Sequence, residues 1–416
     1  MTQLRRNAEL FDCLTTKVNI KSLRIAKIEL VKITTTPIYQ HIRIIKSFSI
    51  VRRFVPNNFQ KATNSLKQSP QKQIIYFDIA LGGGTEQFSK NKIELLSLTN
   101  NIIRVQYIPN IREYLVTVYC SGQEFFFLIG MQSLVAFLKL CTICEIILNN
   151  LSGYRFVDAI LKLVAELKVN NPQILLTAMG HDYFALCPRS HLMTDGFEFC
   201  GVQEPTQCAK YCSLASKFIS QQEWRLLWGD FFGNYLDELI VFSESGRDIF
   251  CRAYPFLKGK IVIAPHAIPV LRKVYVTAHP TINIALLGYF AEHKGSKIVN
   301  QMAENLPKDV HIFLVGDALV PINDNITVLG KYERSSLPNI LEKIQVDIVF
   351  ISSVCPETFS YTTSEAIAMG LPVACFAVGA PQERVRIYER GLVISQLDPQ
   401  IALSEIVSFA RTIRSC

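Results

Sequence analysis

From residue 73 onward the chain alternates short apolar runs with amphipathic stretches. The first half contains seven predicted strands: QIIYFDIA, RVQYIPN, YLVTVYC, EIILNN, QILLTAMG, ELIVFS and KIVIAPHAIP. Amphipathic helices are predicted after the glycine-rich LGGG segment and from about Tyr154 to Leu167. Because strands that alternate with helices form a mostly parallel sheet covered on both faces, this half predicts a doubly wound α/β domain.

The same pattern restarts at about residue 281. The predicted strands are INIALLGYF, HIFLVGD, ITVLG, VDIVFIS, LPVACFAV and GLVIS, and the predicted helices are SKIVNQMAENL, SLPNILEKI, TTSEAIAMG and IALSEIVSFARTI. Uninterrupted apolar runs are typical of strands buried on both faces. Two such units place a cleft between the carboxyl ends of two parallel sheets, where this class of fold binds ligands. We therefore divide the chain into residues 1–70, 71–275 and 276–416.

The first 70 residues differ from the rest in charge. They hold 13 Lys and Arg against 3 Asp and Glu, and the whole chain carries +8, so residues 71–416 carry −2. A nearly neutral body argues against nucleic acid as a partner. The polar stretch NNFQKATNSLKQSPQKQ predicts a linker. For residues 1–70 we expect either a solvated extension or a basic element that makes peripheral contact with an anionic membrane.

The most hydrophobic stretch, Phe125–Leu148, is interrupted by Gln132, Lys139 and Glu145. We interpret it as a buried helix followed by a strand, since a membrane span needs about 20 consecutive apolar residues. No secretory signal is expected at the start of the sequence. The 12 cysteines are therefore expected to stay reduced. These features predict a cytoplasmic protein, either free or peripheral at the inner face of the membrane.

The sharpest signal for chemistry is the segment PETFSYTTSEAIAMGLPV, residues 356–373. It follows a predicted buried strand and opens a helix, so free backbone N–H groups around Ser360 and Tyr361 can attract phosphate. Glu357 precedes this helix and Glu365 lies about one turn inside it. Carboxylates hydrogen-bond well to the vicinal hydroxyls of a sugar. The alternative is that both glutamates only cap and solubilise the helix.

This segment resembles the E-x7-E motif of retaining GT-B glycosyltransferases, in particular family 4 (glycosyl transferases group 1). The resemblance covers residues 73–414 and implies an α/β fold of the GT-B kind, with two doubly wound Rossmann-like domains facing a cleft. By position, it implies that Glu357 contacts hydroxyls of the donor sugar and Glu365 contacts the ribose. The backbone amides near Ser360 and Tyr361 would then face the diphosphate.

Three other places match the same family. Lys294, in GYFAEHKG, matches one member of a basic pair on the donor diphosphate, although Tyr289 stands where the family has arginine. The loop with Gly83 and Gly84 corresponds to one that lies against the donor phosphate and the acceptor. His181, at the end of QILLTAMG, corresponds to a histidine that contacts the donor sugar. The alternatives are a solvated lysine, a tight strand–helix turn, and a histidine hydrogen-bonded within its loop.

Two further features have mainly structural interpretations. Cys187, Cys200, Cys208 and Cys212 form a C-x12-C-x7-C-x3-C series that could hold a structural zinc ion, with buried or free thiols as the alternative. His266, in IAPHAIP, matches a family motif at the hinge, and we expect it to be structural.

The resemblance implies transfer of a hexose-type sugar, with retention, from a nucleotide-diphosphate sugar to a glycan or lipid-linked acceptor in polysaccharide or glycoconjugate biosynthesis. A helix start with Lys294 can stabilise the leaving diphosphate, so we expect neither a metal at the site nor a cofactor beyond the nucleotide-sugar co-substrate. Two alternatives stay open. One is a nucleotide-sugar epimerase of the same fold, which needs acid/base carboxylates. The other is a non-catalytic subunit of a polysaccharide assembly complex, which Tyr289 favours.

Overall fold

The computed structural model describes residues 56–79, 83–212, 219–268 and 270–415. Within these residues the chain forms two α/β domains, each built on one sheet. The strands of the first sheet are β1 (Gln73–Asp78), β2 (Asn101–Ile108), β3 (Glu113–Cys120), β4 (Gln123–Ile129), β5 (Ile143–Leu148), β6 (Leu175–Met179), β7 (Glu238–Val241) and β8 (Ile261–Ile263). Their order is β4-β3-β2-β1-β5-β6-β7-β8, parallel except for the antiparallel pairs β2–β3 and β3–β4.

Helices cover both faces of the first sheet. They are α1 (Pro56–Gln68), α2 (Gly83–Ser97), α3 (Met131–Lys139), α4 (Val157–Asn170), α5 (Gln221–Tyr235) and α6 (Glu244–Ala253). The four central residues of β1 are all apolar because both faces of the strand are buried. Ile75 and Phe77 pack into one core cluster, whereas Ile74 and Tyr76 pack into another. Successive side chains of a strand point to opposite faces, so both faces of β1 are buried.

The second domain repeats this arrangement with a fully parallel sheet. Its strands are β9 (Ile282–Phe290), β10 (Val310–Ala318), β11 (Ile326–Val328), β12 (Ile348–Ile351), β13 (Val373–Phe376) and β14 (Gly391–Ile394), in the order β11-β10-β9-β12-β13-β14. Its helices are α7 (Ser296–Glu304), α8 (Leu337–Lys343), α9 (Tyr361–Ala368), α10 (Gly379–Arg386) and α11 (Pro399–Ser415). Ile348 and Phe350 of β12 pack on one face of this sheet, and Val349 and Ile351 pack on the other. The predicted pair of doubly wound α/β domains is therefore confirmed.

The hydrophobic stretch Phe125–Leu148 is organised differently from its prediction. Its first residues form strand β4, which pairs with β3, and only then do α3 and β5 follow. Ser121 and Gly122 form the turn of this hairpin with φ angles of 50° and 73°. Positive φ at both central residues is the geometry of tight hairpin turns, and a Ser-Gly pair between apolar runs was the sequence signal for it. Among the described residues, no helix combines the length and the apolar character needed to cross a bilayer.

The linker predicted before residue 73 is wrong for residues 56–68, which form helix α1. Phe59, Ala62, Thr63 and Leu66 recur at helical spacing, and Ala62 and Leu66 are 0% and 3% exposed. The Phe59 ring lies 5.3 Å from that of Phe127 on β4. The helix therefore belongs to the first domain, and the expected basic extension shortens to residues 1–55, which lie outside the described residues.

Candidate functional site

A cleft of about 350 Å³ lies between the two domains. Its walls come from loops at the carboxyl ends of strands in both sheets, where doubly wound folds bind ligands. The first domain contributes Gly84, Thr85, His181, Asp182 and His266, and the second contributes Gly288, Tyr289, Lys294, Glu357, Ser360 and Tyr361. Of the residues predicted to bind the donor, Gly84, His181, Lys294, Glu357, Ser360 and Tyr361 line this one cleft, whereas Glu365 does not.

Glu357 and Lys294 form an ion pair in the cleft. The Lys294 Nζ lies 3.0 Å from the Glu357 Oε1, and the two side chains are 31% and 12% exposed. Burial works to raise the pKa of Glu357, but Lys294 and the hydroxyls of Ser353 and Ser360 outweigh it and hold the pKa below its usual value. The carboxylate is therefore ionised at neutral pH. Burial likewise works to lower the pKa of Lys294, but the charge of Glu357 raises it.

The loop after β9 holds Lys294 against the loop after β12. Gly295 has a φ of 77°, and a Cβ there would lie 2.0 Å from the Ser352 carbonyl oxygen, so only glycine fits. The Ser352 hydroxyl donates a hydrogen bond of 2.6 Å to the Lys294 carbonyl. This close packing of two loops brings Lys294 to Glu357.

Helix α9 begins at the cleft with uncapped backbone. Its N-cap residue Ser360 has a φ of 68° and makes no side-chain cap hydrogen bond. Instead, its Oγ accepts a hydrogen bond of 2.9 Å from the Thr363 hydroxyl. A non-glycine residue at positive φ costs about 1–3 kcal/mol and persists only where its surroundings hold it. The first-turn N–H groups of α9 thus remain available to an anion.

Glu365 lies behind this helix start and pairs with an arginine that the sequence analysis missed. The Arg334 Nε is 2.5 Å from the Glu365 Oε1, and the glutamate side chain is 3% exposed. Burial raises the pKa of Glu365, and Arg334 opposes that rise. The ion pair lacks hydrogen-bond geometry, so the buried Oε1 has no well-directed donor among the described residues. Arg334 also lies 5.1 Å above the Tyr361 ring.

His181 is packed between rings in the first domain. Its ring lies 4.6 Å from Phe242 and 4.8 Å from Phe88, and its Nε2 lies 2.9 Å from the Asn149 Oδ1. Burial, followed by the nearby His266, holds the pKa of His181 well below its usual value. His181 is therefore a neutral imidazole at the wall of the cleft.

His266 joins the two domains, as its expected structural role requires. It stacks on Phe242 at 3.9 Å and contacts the second domain through Tyr361 at 5.2 Å and Phe359 at 4.7 Å. Burial, followed by Arg384, lowers the pKa of His266 to about 4. A neutral ring packs against aromatic neighbours without leaving a charge buried.

A second pair of histidines spans the cleft and was also missed. His191 of the first domain stacks on His293 of the second at 4.1 Å, with the ring planes 16° apart. Burial, followed by His191 and Lys294, lowers the pKa of His293 to about 3. No spacing in the sequence connects the two residues, because the contact is made only when the domains face each other.

Helix α10, which was not predicted, carries another contact between the domains. Its buried residues are Gly379, Ala380, Pro381 and Val385, of which only Val385 is large and strongly apolar, so GAPQERVR gives little helical periodicity. Glu383 accepts hydrogen bonds from the backbone N–H groups of Glu244, at 3.2 Å, and Ser245. These residues start helix α6 of the other domain. Burial raises the pKa of Glu383, while the two N–H groups oppose the rise.

The four cysteines of the predicted zinc series line a separate small cavity of about 30 Å³ in the first domain. Burial raises the pKa of the Cys187 thiol to about 12, and Cys200, Cys212 and Cys208 add to the rise. No group of three or more His, Cys, Asp or Glu residues in the described part of the chain is arranged to hold a metal ion. Zinc at this series stays a prediction.

The comparisons with known proteins agree with this architecture. Residues 281–411 match the family model described as "Glycosyl transferases group 1". No curated protein sequence matches the chain at a significant level. Anabaena HepE in complex with UDP is similar in structure, with a TM-score of 0.53 and 14% identity over 83% of this chain and 91% of that one.

Two further solved structures are similar. Sucrose-phosphate synthase from Thermosynechococcus elongatus has a TM-score of 0.51 and 15% identity over 83% of this chain and 90% of that one. The lipopolysaccharide outer core galactosyltransferase WaaB has a TM-score of 0.50 and 11% identity over 83% and 91%. The chain thus has the GT-B fold of these glycosyltransferases, and its second domain matches the glycosyl transferases group 1 model. The predicted GT-B fold and the resemblance to glycosyl transferases group 1 are confirmed, while family 4 and retention stay predictions.

Gly84 provides a test of how tightly the domains meet. A Cβ at this position would lie 2.8 Å from two carbons of the Tyr361 ring. We expect Gly84→Ala to lower the free energy of unfolding by about 1–3 kcal/mol, because the ring must move. Chemical denaturation measures this change. In a Tyr361→Ala background, Gly84→Ala should not lower the free energy of unfolding any further.

Gly130→Ala is the matched control for this experiment. Gly130 has a φ of −77°, and a Cβ there would meet no atom within 4 Å. Equal destabilisation by Gly84→Ala and Gly130→Ala, or an undiminished effect without Tyr361, would contradict the assigned contact.

Proposed function

We propose that this protein is a retaining glycosyltransferase that moves a hexose-type sugar from a nucleotide-diphosphate sugar to a glycan or lipid-linked acceptor. The observation that carries the proposal is the 3.0 Å Lys294–Glu357 ion pair beside the uncapped start of α9, in a cleft between two Rossmann-like domains. This arrangement offers both an anion site and a carboxylate for sugar hydroxyls within one cleft. The similarity to HepE, which has been solved with UDP and with UDP-glucose, supports it.

In this proposal the donor lies along the start of α9. The first-turn N–H groups near Ser360 and Tyr361, together with Lys294, bind the diphosphate. Glu357 accepts hydrogen bonds from hydroxyls of the donor sugar, and Glu365, behind the helix start, accepts from the ribose. An ionised carboxylate is an acceptor only, which suits it to bind neighbouring hydroxyls of one ring.

His181 completes the sugar site from the first domain, and Gly83 and Gly84 let the backbone come close to the phosphate and the acceptor. Because His181 is neutral, it adds no charge beside the anomeric carbon and can accept a hydrogen bond from a sugar hydroxyl. The glycine turn faces the helix start through the contact of Gly84 with Tyr361. Donor and acceptor would therefore meet between the two domains.

The chemical step is the displacement of the diphosphate at the anomeric carbon. The bond from that carbon to the phosphate oxygen breaks, and the diphosphate leaves with the electron pair. The acceptor hydroxyl forms its bond on the same face, and its proton passes to the departing phosphate oxygen. Lys294 and the N–H groups of α9 stabilise the negative charge that grows on the leaving group. On this basis we propose that the reaction needs no metal and no cofactor beyond the nucleotide sugar.

A nucleotide-sugar epimerase is the second candidate, because a carboxyl group with a perturbed pKa lines the same cleft. Burial raises the pKa of Asp182, against hydrogen bonds from the Phe184 N–H at 2.9 Å and the Asn150 side chain at 3.1 Å. A raised carboxyl pKa suits acid/base chemistry. A panel of nucleotide sugars separates the candidates: a transferase releases nucleotide, an epimerase changes the donor sugar, and a non-catalytic subunit does neither.

Glu357 and Glu365 should act on different steps. We expect Glu365→Gln to weaken binding of the nucleotide sugar, and Glu357→Gln to lower turnover more than nucleotide binding. Each loses one charge-assisted hydrogen bond, about 1.5–3 kcal/mol or roughly ten- to a hundredfold. Calorimetric binding and nucleotide release on the competent donor measure the two effects. Glu333→Gln, at an exposed neighbouring position, is the control. Full activity of both cleft variants would reject the site.

Metal dependence is a separate test. We expect nucleotide release to continue in EDTA, because protein donors rather than a bridging cation hold the leaving group. If the cysteine series binds zinc, elemental analysis of the purified protein should find about one zinc per chain, and chelation should lower the thermal unfolding temperature. Turnover that stops in EDTA and returns with magnesium or manganese, without a change in thermal unfolding, would contradict the metal-independent mechanism.

We also propose that the protein acts in polysaccharide or glycoconjugate biosynthesis in the cytoplasm, with residues 1–55 holding it at the inner membrane face. That segment has 11 Lys and Arg against 3 Asp and Glu. Each basic residue near an anionic surface adds about 1 kcal/mol, which salt weakens. We expect the full-length chain, but not a chain beginning at residue 56, to sediment with anionic vesicles at low salt. Equal sedimentation of the two chains would contradict a membrane role for the segment.

A further inference from the structure

A continuous chain of polar side chains leads from the first sheet to His181. The Arg104 Nε and Nη2 lie 3.0 and 2.5 Å from the Asp78 Oδ2. The Asn149 Nδ2 lies 2.9 Å from the Asp78 Oδ1, and the Asn149 Oδ1 lies 2.9 Å from the His181 Nε2. A second contact of the same amide is to the Ser89 Oγ at 2.9 Å. None of the binding roles proposed above for residues of the cleft involves Arg104, Asp78 or Asn149.

These hydrogen-bonded side chains come from four neighbouring strands of the first sheet. Arg104 is on β2, Asp78 ends β1, Asn149 directly follows β5, and His181 follows β6. These strands are adjacent and parallel in the order β2-β1-β5-β6. Asp78, Asn149 and His181 lie at the carboxyl ends of their strands, which meet at one edge, and Arg104 reaches Asp78 from the middle of β2. The last link reaches the cleft.

These hydrogen-bonded side chains are buried, so each of their donors and acceptors needs a partner within the protein. The Asp78 side chain is 0% exposed and that of Arg104 12% exposed, while Asn149 as a whole is also 0% exposed. Burial works to lower the pKa of Arg104, but Asp78 raises it, so the guanidinium stays charged. A buried polar group without a partner is destabilising, so wrong orientations of these side chains are disfavoured.

The carboxylate decides which way the amide of Asn149 points. An ionised carboxylate only accepts hydrogen bonds, so Asp78 must face the Nδ2 of Asn149 rather than its Oδ1. The Oδ1 then faces His181 and can only accept. The Nε2 of His181 must therefore carry its proton, which leaves the lone pair on Nδ1. The aromatic neighbours of His181 fix the plane of its ring but not the position of this proton.

We infer that Arg104, Asp78 and Asn149 form a positioning relay that fixes His181 as the Nε2–H tautomer, with Nδ1 as the hydrogen-bond acceptor for a substrate hydroxyl. The Nδ1 makes no hydrogen bond to the described residues, and His181 lines the cleft. The tautomer follows from the relay alone. The identity of the hydroxyl as that of a donor sugar rests on the proposed function.

Replacing Asp78 by its amide should invert the relay. In Asp78→Asn the new carbonyl oxygen must still face the donors of Arg104, so the new amide NH2 faces Asn149. The Asn149 side chain then has to turn its oxygen toward residue 78 and its NH2 toward His181. The Nε2 of His181 becomes an acceptor, and the proton moves to Nδ1. A substitution that leaves the number of heavy atoms in the side chain unchanged thus reverses the tautomer two residues away along the relay.

A second substitution should restore the original state. In Asp78→Asn with Asn149→Asp, the amide at position 78 donates to the carboxylate at position 149. That carboxylate only accepts, so the Nε2 of His181 must again carry the proton. Loss of the Nε2–H tautomer in the single variant and its recovery in the double variant distinguish a relay from general damage to the fold, because both changes are nearly isosteric.

Nitrogen-15 NMR of selectively histidine-labelled protein reports the tautomer, because protonated and unprotonated ring nitrogens differ strongly in chemical shift. His181→Gln identifies the signal among the seven histidines. We expect Nε2–H in the native protein, Nδ1–H in Asp78→Asn and Nε2–H in the double variant. Tyr154→Phe is the control, since the Tyr154 hydroxyl donates to the backbone carbonyl of Asp78 at 2.8 Å without touching the relay side chains. It should keep Nε2–H.

An Nδ1–H tautomer in the native protein, or an unchanged tautomer in a folded Asp78→Asn variant, would overturn the relay. The native measurement decides even if Asp78→Asn does not fold. On a competent donor we expect turnover to fall roughly tenfold or more in Asp78→Asn and to recover in the double variant, with nucleotide affinity unchanged. If the protein has no transferase activity, the tautomers still test the relay, so the two proposals fail separately.

Discussion

The contact between the loop before helix α9 and the first domain is the constraint on which the cleft depends. The Thr358 hydroxyl donates a hydrogen bond of 2.8 Å to the His181 carbonyl, and Phe359 is buried in a core cluster of first-domain side chains. Tyr361 closes the same contact against Gly84. Glu357 and Ser360 lie within this loop, so the groups proposed to bind the donor cannot be moved without disturbing the fit between the domains.

The charges of the site are paired before any ligand arrives. Lys294 neutralises Glu357, and Arg334 neutralises Glu365. Such pairing is what allows ionised groups to lie in a partly buried cleft, because an unpaired buried charge is strongly destabilising. A diphosphate adds negative charge beside Lys294, and the N–H groups of α9 supply donors that no carboxylate of the described residues uses. Because Lys294 is already paired with Glu357, the N–H groups at the start of α9 supply the further stabilisation that a bound diphosphate needs.

The sequence was sufficient for most of the fold, for physical reasons visible in particular elements. Strands β1 and β12 are apolar on both faces, so their runs identified two parallel sheets. Helix α10 was missed because Val385 is the one large apolar residue among its buried positions. Helix α1 was missed because its polar residues hid the spacing of Phe59, Ala62 and Leu66. Local periodicity detects an element only where a sufficiently wide face is apolar.

The site was predictable only in part. The spacing of Glu357 and Glu365 is local, so a motif could identify both. Arg334, His191 and Asn149 could not be found in this way, because each acts through a residue distant in sequence; Asn149 and His181, for example, are 32 positions apart. Such contacts depend on strand order and on how two domains face each other, and neither is encoded in a short spacing.

The carboxylate of Glu383 ties the opening of the cleft to the integrity of a helix. It satisfies two of the first N–H groups of α6, while the Ser243 hydroxyl accepts from a third, at Gly246. When the domains separate, α6 loses a borrowed cap and must find water for two amides, at the end where its dipole favours negative charge. Any separation of the domains at this contact would therefore also remove part of the N-terminal cap of α6.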